Sequence, residues 1–440
     1  MKVAVIGLGK IGLPLAVQVA GAGHAVTGAD ISYGVVNDVL AGRTGRTLEP
    51  GLAERLADVL AAGRLHATTS TEEAVAASEV VLVVVPLVVG PEQRPDFGAL
   101  DTATERIGRA LRADTLVSYE TTLPVHTTRG RFVPALERSS GFILGRDLFV
   151  CHSPERVSSG SVFADLRRYP KLVGGADLES GRRAVDFYRL ALDFEARPDL
   201  TRPNGVWDVG SAEAAEFTKL AETTYRDVNI ALANEFARFA DRAGVDMGVV
   251  IEAANSQPYS HLHRPGVAVG GHCIPVYPHF YLAGDPDARL PRAARAINSD
   301  MPRYVVDRLE AALGGLRGRA VVILGAAYRA GVKEIAFSGV FPLAEALNER
   351  GAMATVHDPL FEPAELRALG LVPFVGGTSS EAAILQADHD AYTAHDPVMF
   401  PGVTLLFDGR GRADPAQWPG VTILGIGRLS RSETRRESSP

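Results

Sequence analysis

The chain has 440 residues, 46% of them hydrophobic and 22% charged, with a formal net charge of -7. That length exceeds one ordinary core, so two or three domains are expected, each able to bury an interior without a disulfide or metal staple. The mild acidity argues against nucleic acid or an anionic membrane as the main partner, while the two cysteines and the lack of a leader-like or bilayer-length apolar run point to a reducing compartment, the cytoplasm.

Met1 to Ile6 is a short apolar run of the kind a buried parallel strand needs, followed at once by Gly7-Leu8-Gly9-Lys10-Ile11-Gly12 and a helical stretch to about Ala22. The segment His24 to Asp30 supplies the next strand and ends on an acid. Glu79 to Pro86 and Thr115 to Tyr119 are strand-like with helical patterns between them, so residues 1–200 read as one doubly wound domain. From Ser211 to about Ala243 the pattern is long and helical without Gly or Pro, opening a helical middle domain over 201–305. Arg319 to Gly325 repeats the strand-to-glycine motif, and strands near Ala354–Val356 and Val403–Leu406 continue a second α/β domain over 306–428. The polar Arg/Ser/Glu-rich end, 429–440, is expected to be disordered. The fold class is therefore α/β, with two Rossmann-like doubly wound domains joined by a long central helix and a small helical middle domain.

Gly7, Gly9 and Gly12 permit a tight turn, close approach of a pyrophosphate and close helix packing, with the amides of a helix N-terminus facing the phosphates. Asp30, at the end of the next strand, can accept both ribose hydroxyls of NAD and would repel the 2′-phosphate of NADP. NAD is the expected cofactor; the plain alternative is an ordinary βα turn. Cys273 lies in Gly270-Gly271-His272-Cys273-Ile274-Pro275, where backbone can approach a ligand and a thiol can be held facing it. A structural cysteine in a glycine-rich turn is the alternative. Lys219 and Thr223 stand one turn apart, and positions 219, 223, 226 and 230 are expected to share one helical face. A solvated surface lysine would be the commoner case. No metal site is expected, since His261, His263 and His272 share a loop without a helix or cysteine pattern to orient them.

These motifs, with Ser153-Pro154-Glu155-Arg156-Val157 and Asp408-Gly409-Arg410, occur in an order and spacing that resembles the UDP-glucose/GDP-mannose dehydrogenase family over residues 1 to about 428. The resemblance implies NAD-dependent four-electron oxidation of a nucleotide sugar at C6 to the uronic acid. Cys273 then matches the nucleophile that forms a thiohemiacetal and a thioester, Lys219 the cation at developing oxyanions, and Glu155 the acid that serves the hydrolytic water. Thr122, in Glu120-Thr121-Thr122-Leu123-Pro124, would hold a water near C6, with a strand-end hydroxyl as the alternative. For Glu155 the alternative is an ion pair with Arg156. Gly7, Gly9, Ile11, Gly12, Asp30, Pro86 and Thr121 form the implied cofactor set. Arg264, Gly270, Tyr328, Arg329 and Arg410 form the implied substrate set, since guanidinium groups suit phosphate oxygens. His272 resembles the N-acetylhexosamine branch, so UDP-N-acetylmannosamine or UDP-N-acetylglucosamine is the leading substrate. UDP-glucose or a dTDP-sugar is the runner-up. A homodimer through the central helix, around Val228, Leu232 and Phe236, is also implied.

Four positions depart from the family pattern. Tyr277 stands where an Asp is usual, Thr223 where an Asn is usual, Leu87 in place of Thr in the Val-Pro-Thr-Pro loop, and Ala336 in place of an Arg, with Lys333 nearby. Losing the Asp bears on thioester hydrolysis, and Leu87 and Ala336 bear on cofactor contacts. A two-electron 3-hydroxyacid-type dehydrogenase, which has no need of Cys273, and a catalytically weakened family member remain as alternatives.

Overall fold

A computed structural model describes residues 1–428 apart from 46, 48, 91, 393, 395 and 397, so the tail expected to be disordered, 429–440, lies outside the described residues. The chain divides into two compact units, Met1–Glu222 with His279–Asp285, and Thr223–Pro278 with the chain from Pro286 on. Among the described residues no helix is long and apolar enough to cross a membrane.

The first unit is built on β1 (Lys2–Ile6), β2 (Ala25–Ala29), β3 (Leu65–Thr68), β4 (Val80–Val83), a small antiparallel ribbon of β5 (Val88–Val89) and β6 (Pro95–Asp96), then β7 (Thr115–Tyr119), β8 (Leu148–His152), β9 (Lys171–Gly175) and β10 (Val206–Asp208). The main sheet has the order β10-β9-β8-β7-β4-β1-β2-β3. In this sheet β8, β7, β4, β1, β2 and β3 are parallel, and β9 reverses against β8. All four residues of β4 and all five of β7 and β8 are buried, as in a sheet with helices on both faces; Thr115, Ser118 and His152 are buried there with the apolar residues. Val5, Leu13, Leu82, Phe149 and Phe187 belong to one continuous core. The strand order reverses on either side of β1, and at such a switch point a crevice opens at the carboxyl ends of the strands.

The helix Ala212–Ala243 has 32 residues and belongs to the first unit as far as Glu222 and to the second from Thr223. At 1.5 Å per residue it is about 48 Å long. Glu216, Lys219, Thr223, Asp227 and Asn234 are all buried on it. Lys219 and Thr223 are thus buried together on one face, one turn apart. Arg226 is exposed because the buried stripe is centred on Glu216, Thr223, Asp227 and Asn234, which leaves position 226 at its edge. In the first unit Glu216 accepts from the backbone N–H of His126 and from the N–H and hydroxyl of Thr128, each at 2.7 Å.

The second unit carries β11 (Ala320–Leu324), β12 (Met353–His357), β13 (Ala382–Leu385), β14 (Leu405–Asp408) and β15 (Thr422–Gly425), all parallel in the order β12-β11-β13-β14-β15. Within it, Arg295 on the helix Arg289–Leu313 donates to Asp227 through Nε at 2.6 Å and Nη2 at 2.5 Å. Asn298 donates to Asp227 at 2.8 Å and accepts from Asn234 at 2.8 Å, and Asn234 accepts the N–H of Gly266 at 2.9 Å. Every buried polar group in this chain of contacts has a partner, which is the condition for keeping it in a core.

Burial pushes the Glu216 carboxyl up from 4.5 to about 7, against the pull of its Thr128 and His126 donors. The folded state then holds a proton that the unfolded chain has released, so stability falls as pH rises from 4.5 to about 7 and levels off above. Urea midpoints measured across this window should decline in the wild type, with a shallower decline in Glu216→Gln. An identical slope in both would overturn the assignment.

Candidate active site

In the first unit β1 runs into Gly7, whose φ of 96° suits glycine and whose N–H donates to Ala29 O at 2.7 Å. A Cβ at Gly12 would lie 1.8 Å from Gly7 O, so the first turn of the helix Gly12–Gly21 sits directly on the glycine turn. A Cβ at Gly9 would meet nothing within 4 Å, leaving open space above the turn. Ile11 forms the N-cap of that helix and packs on the core. Asp30 accepts from Leu8 N and Ser32 N, both at 2.9 Å, which fixes its half-buried carboxylate at the end of β2. Thr121 donates to Val85 O at 2.6 Å, tying the end of β7 to that of β4 beside exposed Pro86; Leu87 is buried. An open turn over a helix N-terminus, with an ordered acid at the adjacent strand end, fits a dinucleotide.

The same carboxyl edge holds Thr122, 4% exposed, and Glu155, just past β8. Glu155 does not pair with the Arg156 side chain: that guanidinium turns to Glu222, leaving only the Arg156 N–H on Glu155 Oε1 at 2.7 Å. Glu155 Oε2 instead meets the ammonium of Lys171 at 3.1 Å, and Lys171 also pairs with Glu120. Neither Lys171 nor Glu120 stands out in the sequence. A lysine after Pro170 looks like a solvated strand start, yet its side chain is 4% exposed. Lys219 is buried on the long helix, 6% exposed.

In the second unit the Cys273 turn lies against the loop after β11. Gly271 N donates to Ala336 O at 2.8 Å, and a Cβ at Gly270 would fall 2.6 Å from Tyr328 Cβ, so only glycine permits this approach. The carbonyl of Cys273 accepts from Tyr277 N at 2.9 Å, where the helix Tyr277–Gly284 begins. Exposed His272 meets Glu334 at 3.0 Å. Cys273 is half-buried and free, whereas Cys151 is fully buried and burial pushes its thiol up to about 12. Thr223 is buried on the long helix.

Arg410 donates through Nε to Gln386 O and through Nη2 to Tyr328 O at 3.1 Å and Gln386 Oε1 at 3.0 Å. All are neutral acceptors, and among the described residues no ion pair is made by Arg410. Loss of water draws its pKa below the ordinary arginine value. Arg329 donates to Tyr328 OH at 3.1 Å. A cleft of about 350 Å³ is lined by Arg264, Arg410 and Arg428 together with Met247, Ile251 and Asp408. Gly270, Tyr328, Arg329 and Arg410 are thus gathered around one loop, and Arg264 shares the cleft with Arg410. Gln386, which orients Arg410, went unread in the sequence. Lys333 is drawn to Glu365 at 2.6 Å.

Three family models match in chain order: the NAD binding domain of the UDP-glucose/GDP-mannose dehydrogenase family at residues 1–192, its central domain at 213–300 and its UDP binding domain at 322–415. The chain belongs to this family. It is an NAD-dependent nucleotide-sugar dehydrogenase, an oxidoreductase. Among relatives of this dehydrogenase, the UDP-N-acetyl-D-mannosamine dehydrogenase of Pyrococcus horikoshii is 34% identical over 364 residues, 82% of this chain and 84% of that protein. A solved structure of UDP-D-ManNAc dehydrogenase from the same organism matches with a TM-score of 0.86 at 30% identity, covering 97% of this chain and 99% of that one. A UDP-glucose dehydrogenase from Pyrobaculum islandicum matches at 0.85 and 29% identity, covering 97% of both chains.

The two glycine environments separate binding from folding in this dehydrogenase. Gly9→Ala projects a methyl into the open space and should weaken NAD about tenfold or more by calorimetric titration, about 1.4 kcal/mol, with an unchanged melting temperature. Gly12→Ala should lower both affinity and melting temperature. Full NAD affinity in Gly9→Ala would place the dinucleotide elsewhere.

Proposed function

We propose that the enzyme oxidises a UDP-N-acetylhexosamine, UDP-N-acetylmannosamine or UDP-N-acetylglucosamine, at C6 to the uronic acid through an acyl-enzyme on Cys273. The observation that carries this reading is the contrast between the two thiols: Cys151 is held protonated by burial, while Cys273 is accessible on a glycine turn seated against Tyr328. NAD, when bound, accepts the hydride lost from C6 in each of the two oxidations.

Cys273 Sγ adds to the C6 aldehyde to give a thiohemiacetal, and loss of the second hydride leaves a thioester. Lys219, buried on the long helix, supplies its ammonium to the developing oxyanions, where low dielectric strengthens the interaction. Thr122 holds water near C6 and Thr223 donates a hydrogen bond, over a shorter reach than the Asn usual in the family. Glu155 takes a proton from the water that attacks the thioester. Arg410, a desolvated cation whose side-chain hydrogen bonds go to neutral acceptors, suits a diphosphate oxygen, with Arg329, Arg264 and the Gly270 backbone completing the substrate contacts. The relatives named for UDP-N-acetylmannosamine and the histidine before Cys273 support the amino-sugar choice over UDP-glucose.

The same reading includes a homodimer through the long helix. On it Leu232 is 38% exposed, Phe236 40% and Phe239 63%, an apolar face that a second copy would cover. Light scattering should give twice the chain mass; a monomer at micromolar concentration would overturn the dimer. For the reaction, a panel of nucleotide sugars with NAD should give two NADH per uronate with the amino sugars preferred, and Cys273→Ser should abolish acid formation. One NADH per substrate would replace this scheme with a two-electron dehydrogenase.

A further inference from the structure

The reversal of β9 has a chemical consequence. Cys151 lies opposite Gly175 and His152 opposite Gly174, so continuing that antiparallel register places Glu155 opposite Lys171. A parallel β9 would have carried its first residue to the other edge of the sheet. Instead Lys171 starts its strand at the carboxyl ends of β7 and β8, the edge where sheets of this kind carry their sites.

The three N–H bonds of the Lys171 ammonium are all engaged inside the protein, on Glu120 Oε2, on Glu155 Oε2 at 3.1 Å and on Ser153 O at 3.4 Å. Glu120 is itself fully buried, and its second oxygen accepts from Tyr188 OH, which meets Ser118 Oγ at 2.7 Å. The cluster therefore sets two carboxylates against one ammonium. Burial pushes Glu120 toward its neutral form. Burial also works against the Lys171 charge, but the two carboxylates overcome it and hold the ammonium protonated. Without that cation, the two carboxylates it bridges would repel one another and Glu155 would lose the contact that holds its Oε2.

We propose that Lys171, anchored by Glu120, is the positioning residue that holds Glu155 for thioester hydrolysis; this rests on the acyl-enzyme route proposed above. In that step water oxygen bonds to the thioester carbonyl carbon and one water proton passes to Glu155. The C–S bond then breaks, Cys273 leaves as thiolate, and the second proton is released as the product acid ionises. Among the described residues, Arg156, held by Glu222 on the long helix, and Asp165 and Tyr169 line the same small cavity as Glu155 and Lys171.

The full-length enzyme is tested with NAD and the nucleotide sugar it oxidises best, comparing Lys171→Met, Lys171→Arg and Glu120→Gln. In Lys171→Met both NADH equivalents should appear in the first turnover at wild-type amplitude, while steady-state turnover falls about 10²-fold, the usual weight of a positioned base. Hydroxylamine, which attacks a thioester without base assistance, should restore that turnover, and intact mass should show the acyl-enzyme accumulating. Lys171→Arg keeps the cation and should retain most activity. The acid limb of the turnover profile should move to higher pH in Lys171→Met and to lower pH in Glu120→Gln, opposite shifts that a merely structural role would not produce. Unchanged steady-state turnover in Lys171→Met, loss of its first-turnover burst, or acid limbs moving the same way in both variants would overturn the proposal. Failure of the acyl-enzyme route is read separately, on the wild type, as a single NADH per substrate.

Discussion

A long helix with polar side chains on its buried face is the constraint on which much of this molecule depends. Burying Glu216, Asp227 and Asn234 costs several kcal/mol unless each finds a partner, so the helix can sit only where partners exist. Glu216 finds two backbone amides and a hydroxyl at 126–128, Asp227 finds Arg295 and Asn298, and Asn234 finds Asn298 and the Gly266 amide. Arg295 also reaches Pro275 O at 3.4 Å, two residues past Cys273. Rotating the helix by one residue would strand all of these groups together. Its register therefore fixes the loop after β7 in the first unit and the loop leading to the cysteine turn in the second.

The two sheets repeat one device and use it differently. After β1, Gly7 N donates to Ala29 O and Leu8 N to Asp30 Oδ2; after β11, Gly325 N donates to His357 O and Ala326 N to Asp358 Oδ2, with distances of 2.7 to 2.9 Å throughout. Asp30 stays half-exposed at the crevice. Asp358 is buried and takes further bonds from Ala327 N, Leu360 N and His389. Gly331 N donates to the other ring nitrogen of His389 at 3.3 Å. An acid so engaged has no edge left for a ribose. Recognition by the second sheet must fall to other residues, and Arg410, set by Gln386 at the ends of β13 and β14, is in place for it.

What the sequence made legible follows from how local each signal is. The strand patterns of β1, β4, β7 and β11, the glycine turn with Asp30, and the bounds of the long helix depend on neighbours a few residues away, and each stands where it was read. The misses are long-range. Lys171 meets Glu120 across 51 residues, Arg156 meets Glu222 across 66, and Arg410 meets Gln386 across 24. None of these pairs leaves a periodic trace. Helical spacing likewise gives the faces of the long helix but not which one is buried, and packing around Asp227 decided that.

Both units keep a charge imbalance that folding alone would not favour. The first holds Glu120 and Glu155 against the single ammonium of Lys171; the second holds the Arg410 guanidinium among carbonyl and amide oxygens. Hydrophobic replacements of similar volume would cost less than either arrangement, since desolvated charge is repaid only by good geometry and a partner of opposite sign. Such imbalances concentrate where a ligand or a reaction completes them. An excess of carboxylate is completed by a proton, and a guanidinium hydrogen-bonded only to neutral oxygens by an anion with oxygens to spare. The proposed reaction supplies both: its hydrolytic step delivers a proton, and its substrate brings a diphosphate. The polar groups that lower the stability of each unit are thus the ones that this chemistry requires.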